Sequence, residues 1–280
     1  MKLLLENVKF EHTIFALPFA YLGMVLAAGG WPTWHQFIWI TVAMAAARTM
    51  AMSLNRVIDR ELDARNPRTA IRPIPSGRLS ASNVWLAAAA SAVILTFAAW
   101  QLNDLAVKLL PVAIVILTVY HYTKRFTWLC HLVLGVADGG APLGGWLAVT
   151  GSIDPPAWLL FLAVTTWVGG FDLIYACQDV DFDRANGLHS VPVRFGIRTS
   201  LWAARIAHVI TMLALGAVGT MLHLGPLYWA GWLAALALLA YEHSLVHPHD
   251  LSRLNVAFFN VNGYIGVIVF GFTLAALLIQ

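Results

Sequence analysis

Six of the fourteen acidic residues fall in two short windows, Asp59, Glu61 and Asp63 in one and Asp179, Asp181 and Asp183 in the other. At about 100° per residue, Arg48, Asn55, Asp59 and Asp63 share one helix face, and Asp172, Tyr175, Asp179 and Asp183 share another. Glu61 and Asp181 point away and rank below their neighbours. Carboxylates at i and i+4 repel one another slightly, and near hydrocarbon they are expensive unless something positive compensates them. Two such pairs together ask for a bound cation. Paired hard oxygen donors suit Mg²⁺, which typically binds through one or two carboxylates plus substrate phosphates, so a diphosphate is the natural bridge between the pairs. Basic side chains for the remaining phosphate oxygens are at hand. Arg68 and Arg72 lie in the Pro-rich loop 66–77, and Tyr120 precedes Lys124 by one helical turn. The plainer alternative is a solvated, salt-bridged rim.

The elements that position these residues must be membrane helices. The 280 residues are 60% hydrophobic and 11% charged, with a mean hydropathy of +0.73, which excludes an ordinary soluble globule. A span takes roughly 20 mainly apolar residues, which leaves room for about nine. The stretch 13–47 holds no Asp, Glu, Lys or Arg and is broken by Gly29, Gly30, Trp31 and Pro32, giving two spans and a tight turn. Further spans are expected between Arg78 and Asp104 and over 105–122, 131–150 and 156–178. Two more share 206–241, split at Gly225 and Pro226, and a ninth covers 255–279. The expected fold is all-α, a polytopic integral membrane protein forming a single membrane domain over 1–280.

Of seventeen Lys and Arg, fifteen lie in the N-terminal segment and in the connections after spans two, four, six and eight. The positive-inside rule then puts the N-terminus and both acidic windows in the cytoplasm. The same one-sidedness accounts for the sequence pI of about 9.0, so no nucleic-acid partner is called for. The start lacks a short apolar region with a small-residue cleavage site, so the first span is expected to be retained. Cys130 and Cys177 show no CxxC spacing, which indicates neither a disulfide framework nor a thiolate metal site.

A shift of 120 residues superimposes Asn55, Asp59 and Asp63 on Tyr175, Asp179 and Asp183. That suggests duplicated four-helix halves, 13–125 and 128–243, followed by a ninth helix over 255–279. The motifs and their order resemble the UbiA superfamily of intramembrane prenyltransferases. Asn55-Arg56-Val57-Ile58-Asp59-Arg60-Glu61-Leu62-Asp63 is similar to its first aspartate-rich motif, Tyr120 to Lys124 to its Tyr-x-x-x-Lys, and Asp179 to Asp183 to its second Asp-x-x-x-Asp. The loop Arg68 to Arg78 and the run Asp172-Leu173-Ile174-Tyr175-Ala176 also match, so the resemblance covers essentially the whole chain. The opening Lys9 to Ala20, and Arg at position 56, look most like the 4-hydroxybenzoate polyprenyltransferase branch, which includes futalosine-route menaquinone enzymes.

The resemblance implies nine helices around a central cavity open to membrane lipid, and two Mg²⁺ ions on Asp59, Asp63, Asp179 and Asp183. Asn55, at the head of the first motif, would join the metal ligands or the acceptor site. The substrate would be a polyprenyl diphosphate, whose allylic C–O bond ionises while the metals, Arg68, Arg72 and Lys124 stabilise the departing diphosphate. An aromatic acid, 4-hydroxybenzoate or 1,4-dihydroxy-6-naphthoate, would trap the cation in a water-poor cavity as a step of ubiquinone or menaquinone biosynthesis. The setting implied is a bacterial cytoplasmic membrane. Arg48 corresponds to a basic position near the acceptor, with Asp172 beside it, and an acceptor carboxylate would neutralise the guanidinium. Asp138, Asp172 or Glu11 could do so instead.

Competing readings are a UbiA-type enzyme with another lipid or aromatic acceptor, a transporter and a phosphatidyltransferase. A transporter places its ionisable groups near the midplane, and the phosphatidyltransferase signature needs an Asp-Gly and Ala-Arg pattern that Asp59 to Asp63 lacks. Asp138 suits a functional or a structural role equally. Glu242, His243, His247, His249 and Asp250 cluster in sequence, but Pro248 interrupts them and their spacing matches no familiar zinc motif. The twelve tryptophans fit interfacial belts or cavity lining, and Gly139, Gly140, Gly144 and Gly145 fit close helix packing.

Overall fold

The computed structural model describes residues 2–7 and 13–279, and over them the chain is helical, with one isolated antiparallel bridge between His247 and Asp250. In order the helices are α1 (Lys2–Asn7), α2 (Thr13–Ala28), α3 (Trp34–Ile58), α4 (Arg60–Arg65), α5 (Ala81–Leu102), α6 (Asp104–Thr123) and α7 (Cys130–Thr150). There follow α8 (Pro155–Tyr175), a 3₁₀ turn (Ala176–Asp179), α9 (Val180–Ala185), α10 (Val191–Phe195), α11 (Ile197–Met221) and α12 (Pro226–Ser244). A π-helical stretch (Val256–Val261) leads into α13 (Asn262–Ile279). The motif start at Lys9 and the candidate partner Glu11 lie outside the described residues.

Among the described residues seven helical stretches are long and apolar enough to cross a membrane. They are Trp34–Ile58, Ala81–Leu102, Asp104–Thr123, Cys130–Thr150, Pro155–Ala185, Ile197–Met221 and Val256–Ile279. The composition argues for nine. The expected first and eighth spans are helices as well, but α2 has only 16 residues and α12 carries Tyr228, Trp229, Trp232, Tyr241, Glu242 and His243 in its 19. Charge also misplaced one boundary: α11 begins at Ile197, nine residues before the uncharged run, because Arg198 and Arg205 are accommodated in its first turns.

Local chemistry sets the remaining ends. Thr33 and Gln36 form a reciprocal capping box before α3, and the Ser80 and Asn103 side chains accept from the first turns of α5 and α6. Pro155 and Pro226 open α8 and α12, where a missing N–H costs nothing. Outward, Leu86, Trp100 and Leu213 are largely exposed, as a surface solvated by lipid requires.

The core is a contiguous cluster that includes Phe19, Leu22, Trp146, Leu160, Trp167, Leu201, Leu215 and Leu239. Within it α2, α7 and α8 approach to backbone contact, since a Cβ on Gly145 would collide with the Ala20 carbonyl and one on Gly135 with that of Thr165. Gly139 is crowded too, by Thr165 and Phe161, whereas Gly140 and Gly144 face open space. The expectation of close packing therefore applies to half of that glycine set. Gly145→Ala should destabilise the bundle by about 1–3 kcal/mol, as overpacking does, while Gly144→Ala should be neutral or slightly stabilising. Thermal unfolding midpoints of the two variants in detergent check this, and equal midpoints would refute it.

Candidate active site

Both acid motifs sit where a long helix stops and a short one begins. Asp59 closes α3 with φ −94° and ψ 7° and precedes α4, and Asp179 closes the 3₁₀ turn with φ −102° and ψ 7° and precedes α9. The helix assumed to run on through Asp63 is thus broken at Asp59. Its register survives, because the Asp59 amide bonds the Asn55 carbonyl at 3.0 Å and the Asp63 amide bonds that of Asp59 at 2.8 Å. Asn55, Asp59, Asp63, Asp172, Asp179 and Asp183 accordingly line one cavity of about 370 Å³, with Arg48, Arg68, Arg72, Tyr120 and Lys124.

Three of the four motif carboxylates, Asp59, Asp63 and Asp179, are held by cations brought from elsewhere in the chain, while Asp183 forms no ion pair among the described residues. Asp59, almost fully buried, takes Lys124 at 3.2 Å and Arg125 at 3.1 Å, and Arg125 also donates to the Ile58 carbonyl at 2.8 Å. Arg72 Nη1 donates to both oxygens of Asp63 at 2.7 Å. Arg68 forks onto Asp179 at 3.3 and 2.7 Å and donates to the Tyr175 hydroxyl at 3.0 Å. Burial pulls the Arg68 guanidinium down, but Tyr175 and Asp179 outweigh it and hold the group above its ordinary value. The loop returns these arginines to the cavity through successive turns, anchored where the buried Thr69 hydroxyl donates to the Asp63 carbonyl at 2.9 Å.

Arg48 has a different environment. Its Nε is buried without a hydrogen-bond partner, and among the described residues it forms no ion pair with Asp138 or Asp172. Asp172 is taken instead by His131, whose Nδ1 lies 2.7 Å from Asp172 Oδ2. Asn55 donates to Asp59 Oδ2 at 3.3 Å, while its only side-chain oxygen accepts from Arg56 Nη1 at 2.9 Å. In this arrangement Asn55 orients Asp59, and its oxygen keeps a second lone pair beside the one that accepts from Arg56.

Residues 16–264 match the model of the UbiA prenyltransferase family. The chain belongs to that family. It is 31% identical to a 4-hydroxybenzoate octaprenyltransferase of Aliivibrio fischeri over 247 residues, covering 88% of this chain and 86% of that one. The apo structure of a UbiA homolog from Aeropyrum pernix K1 is similar, with a TM-score of 0.87 and 32% identity, covering 95% of this chain and 98% of that one. A UbiA homolog from Archaeoglobus fulgidus bound to GPP and Mg²⁺ shares the fold, with a TM-score of 0.73 and 19% identity over 98% of this chain and 99% of that one. This UbiA protein is therefore a membrane prenyltransferase, a transferase of alkyl or aryl groups other than methyl.

The donor set of this UbiA cavity suits Mg²⁺ completed by substrate. Among the described residues no group of three His, Cys, Asp or Glu side chains could hold a metal ion. A cation that keeps waters and shares phosphate oxygens needs no such cage. The lower-ranked acids lie outside: Glu61 is exposed and pairs with Arg60 at 3.6 Å, and Asp181 is exposed on α9. The Glu242 to Asp250 cluster is split. Glu242 and His243 turn inward, where Glu242 accepts from Asn262 at 3.0 Å and His243 meets His208 at 2.9 Å, whereas His247 and Asp250 form an outer turn. Sequence reasoning missed Arg125, His121, which meets Asn55 at 3.3 Å, and His131. A basic residue beside Lys124 was a signal for the first, but nothing local marked the two histidines.

Proposed function

We propose that this UbiA-family enzyme moves a polyprenyl group from an allylic diphosphate to an aromatic acid, such as 4-hydroxybenzoate or 1,4-dihydroxy-6-naphthoate, in quinone biosynthesis. One observation carries the reading: two acid pairs, with basic side chains on Asp59, Asp63 and Asp179, share a cavity with Arg48, whose buried Nε has no hydrogen-bond partner among the described residues. Mg²⁺ bound through Asp59, Asp63, Asp179 and Asp183 would supply Lewis acidity toward the diphosphate. Once those carboxylates are so engaged, Arg68, Arg72 and Lys124 can swing from carboxylate to phosphate oxygens and stabilise the charge of the leaving group. Tyr120 lines the same cavity. The Arg48 guanidinium binds the acceptor carboxylate, and Asp172 accepts from its hydroxyl, which enriches the ring that attacks the allylic carbon. The electron pair of the broken C–O bond leaves with diphosphate, the ring carbon forms the new C–C bond, and the proton it sheds passes to an oxygen of the departing diphosphate.

The wider setting follows the same reading. All nine expected helices cross a bacterial cytoplasmic membrane, with the N-terminus and the acid motifs on the cytoplasmic side. The matching backbone breaks at Asp59 and Asp179 support duplicated four-helix halves. Mg²⁺ and prenyl diphosphate accord with the GPP and Mg²⁺ bound by the Archaeoglobus fulgidus homolog, and the acid with the name of the Aliivibrio fischeri relative. The test is a membrane assay offering the two acids in parallel with polyprenyl diphosphate. Prenylated acid and released diphosphate are expected only when Mg²⁺ and one acid are both present. Diphosphate release without a prenylated acid, or no product from either acid, would refute the proposal.

A further inference from the structure

His131, at the start of α7, is buried, and both of its ring nitrogens are engaged. The Val191 backbone N–H, 3.3 Å away, can only donate, so Nε2 carries a lone pair. The proton must then sit on Nδ1, which donates to Asp172 Oδ2 at 2.7 Å. That leaves Asp172 Oδ1 without a hydrogen bond among the described residues, on a side chain 23% exposed that lines the cavity. Val191 opens α10 and ends the loop that follows the second acid pair. The same loop is pinned to the diphosphate end twice more, where the Leu188 amide bonds the Asp183 carbonyl at 2.9 Å and the His189 amide bonds that of Lys124 at 2.7 Å.

We propose that His131 is a positioning residue that clasps Asp172 to the loop 186–190, so that the acceptor end of the cavity takes its binding geometry only when the loop beside the diphosphate end is seated. The idea rests on the acceptor reading above and adds a dependence of acceptor binding on that loop. A histidine serves because its two nitrogens face opposite ways, one donating to a carboxylate and the other accepting from an amide. Glutamine offers the same pair of functions. Leucine offers neither.

His131→Leu is expected to raise acceptor KM about tenfold, the loss typical of a hydrogen bond to a charged group, with donor KM within about twofold. His131→Gln should recover most of that loss. Val191→Pro deletes the loop amide at a first-turn position that tolerates proline, after the extended Ser190 (φ −149°, ψ 163°); because Val191 is also a buried core residue, Val191→Ala serves as the packing control, and together they report on the clasp if the leucine variant fails to fold. Val191→Pro should raise acceptor KM severalfold, and its double variant with His131→Leu should be no worse than His131→Leu alone, because both remove one interaction. Amide hydrogen exchange over 186–191, read without turnover, should quicken in His131→Leu and not in His131→Gln. Unchanged exchange in His131→Leu, or unchanged acceptor KM in His131→Leu or Val191→Pro, would overturn the proposal. If the wild-type enzyme prenylates neither acid, the acceptor reading fails on its own, and the exchange measurement still decides whether the clasp exists.

Discussion

Replacing Asp59 or Asp179 by alanine is expected to lower prenyl transfer by about a thousandfold or more, the scale of losing a group that holds transition-state charge in place. Glu61→Ala should stay within roughly twofold of wild type, because an exposed pair such as Arg60–Glu61 contributes at most about 1 kcal/mol. Stability should move in the opposite sense to what the sequence suggests. Like charges at i and i+4 imply that removing one relieves repulsion, yet Asp59 is the common partner of Lys124 and Arg125, and its loss leaves two cations facing each other. With both bases more than a third exposed, solvent screens the penalty to about 1–2 kcal/mol, so the variant should fold and melt somewhat lower. Asp59→Asn keeps the shape and should be equally inactive. Initial rates with saturating Mg²⁺, set beside melting curves, check all of this, and a similar activity loss in Glu61→Ala and Asp59→Ala would remove the basis for separating ligands from bystanders by helix face.

That separation was legible in the sequence because it needs only the helical period, and hydrogen bonds at Asp59 and Asp63 preserve the period across a break that no residue type announces. What was not legible depends on pairs distant in the chain. Arg125 reaches back 66 residues to Asp59, and His131 forward 41 residues to Asp172, so neither role could follow from spacing. Adjacency misled in the opposite direction at Glu242 to Asp250, where the end of α12 turns two neighbours into the core and leaves the following turn outside. The same limit applies to Asn55. Its place in the motif suggested a ligand, and the spacing gave no sign that its oxygen also accepts from Arg56, whose guanidinium bonds the Asn7 carbonyl at 3.1 Å. The π-helical start of the last span left no mark in its hydropathy, since a π turn and an α turn bury the same apolar residues.

Arg48→Leu is expected to raise acceptor KM by about 10- to 100-fold, the range for a charge-assisted hydrogen bond, while donor KM stays within about twofold. The sequence left two partners open for this guanidinium, a protein acid or the acceptor's own carboxylate. Of the protein acids, Asp172 is committed to His131, Asp138 stands near enough to feel the Arg48 charge but makes no hydrogen bond or ion pair within 4.0 Å with it, and Glu11 lies outside the described residues. An arginine in a membrane helix with a buried, unsatisfied Nε is costly to retain unless something anionic visits it, and the cavity it lines is the one shared by the acid pairs. On the proposed reading the reacting ring would lie beside a diphosphate held by the acid pairs, in the same cavity that Arg48 lines. The decisive comparison is therefore between 4-hydroxybenzoate and its uncharged methyl ester. Wild type should prefer the acid strongly, and Arg48→Leu should lose that preference without losing expression or thermal stability. A protein partner predicts the reverse, a lowered melting midpoint with the preference intact. Undiminished discrimination between acid and ester in well-expressed Arg48→Leu membranes would exclude the acceptor role.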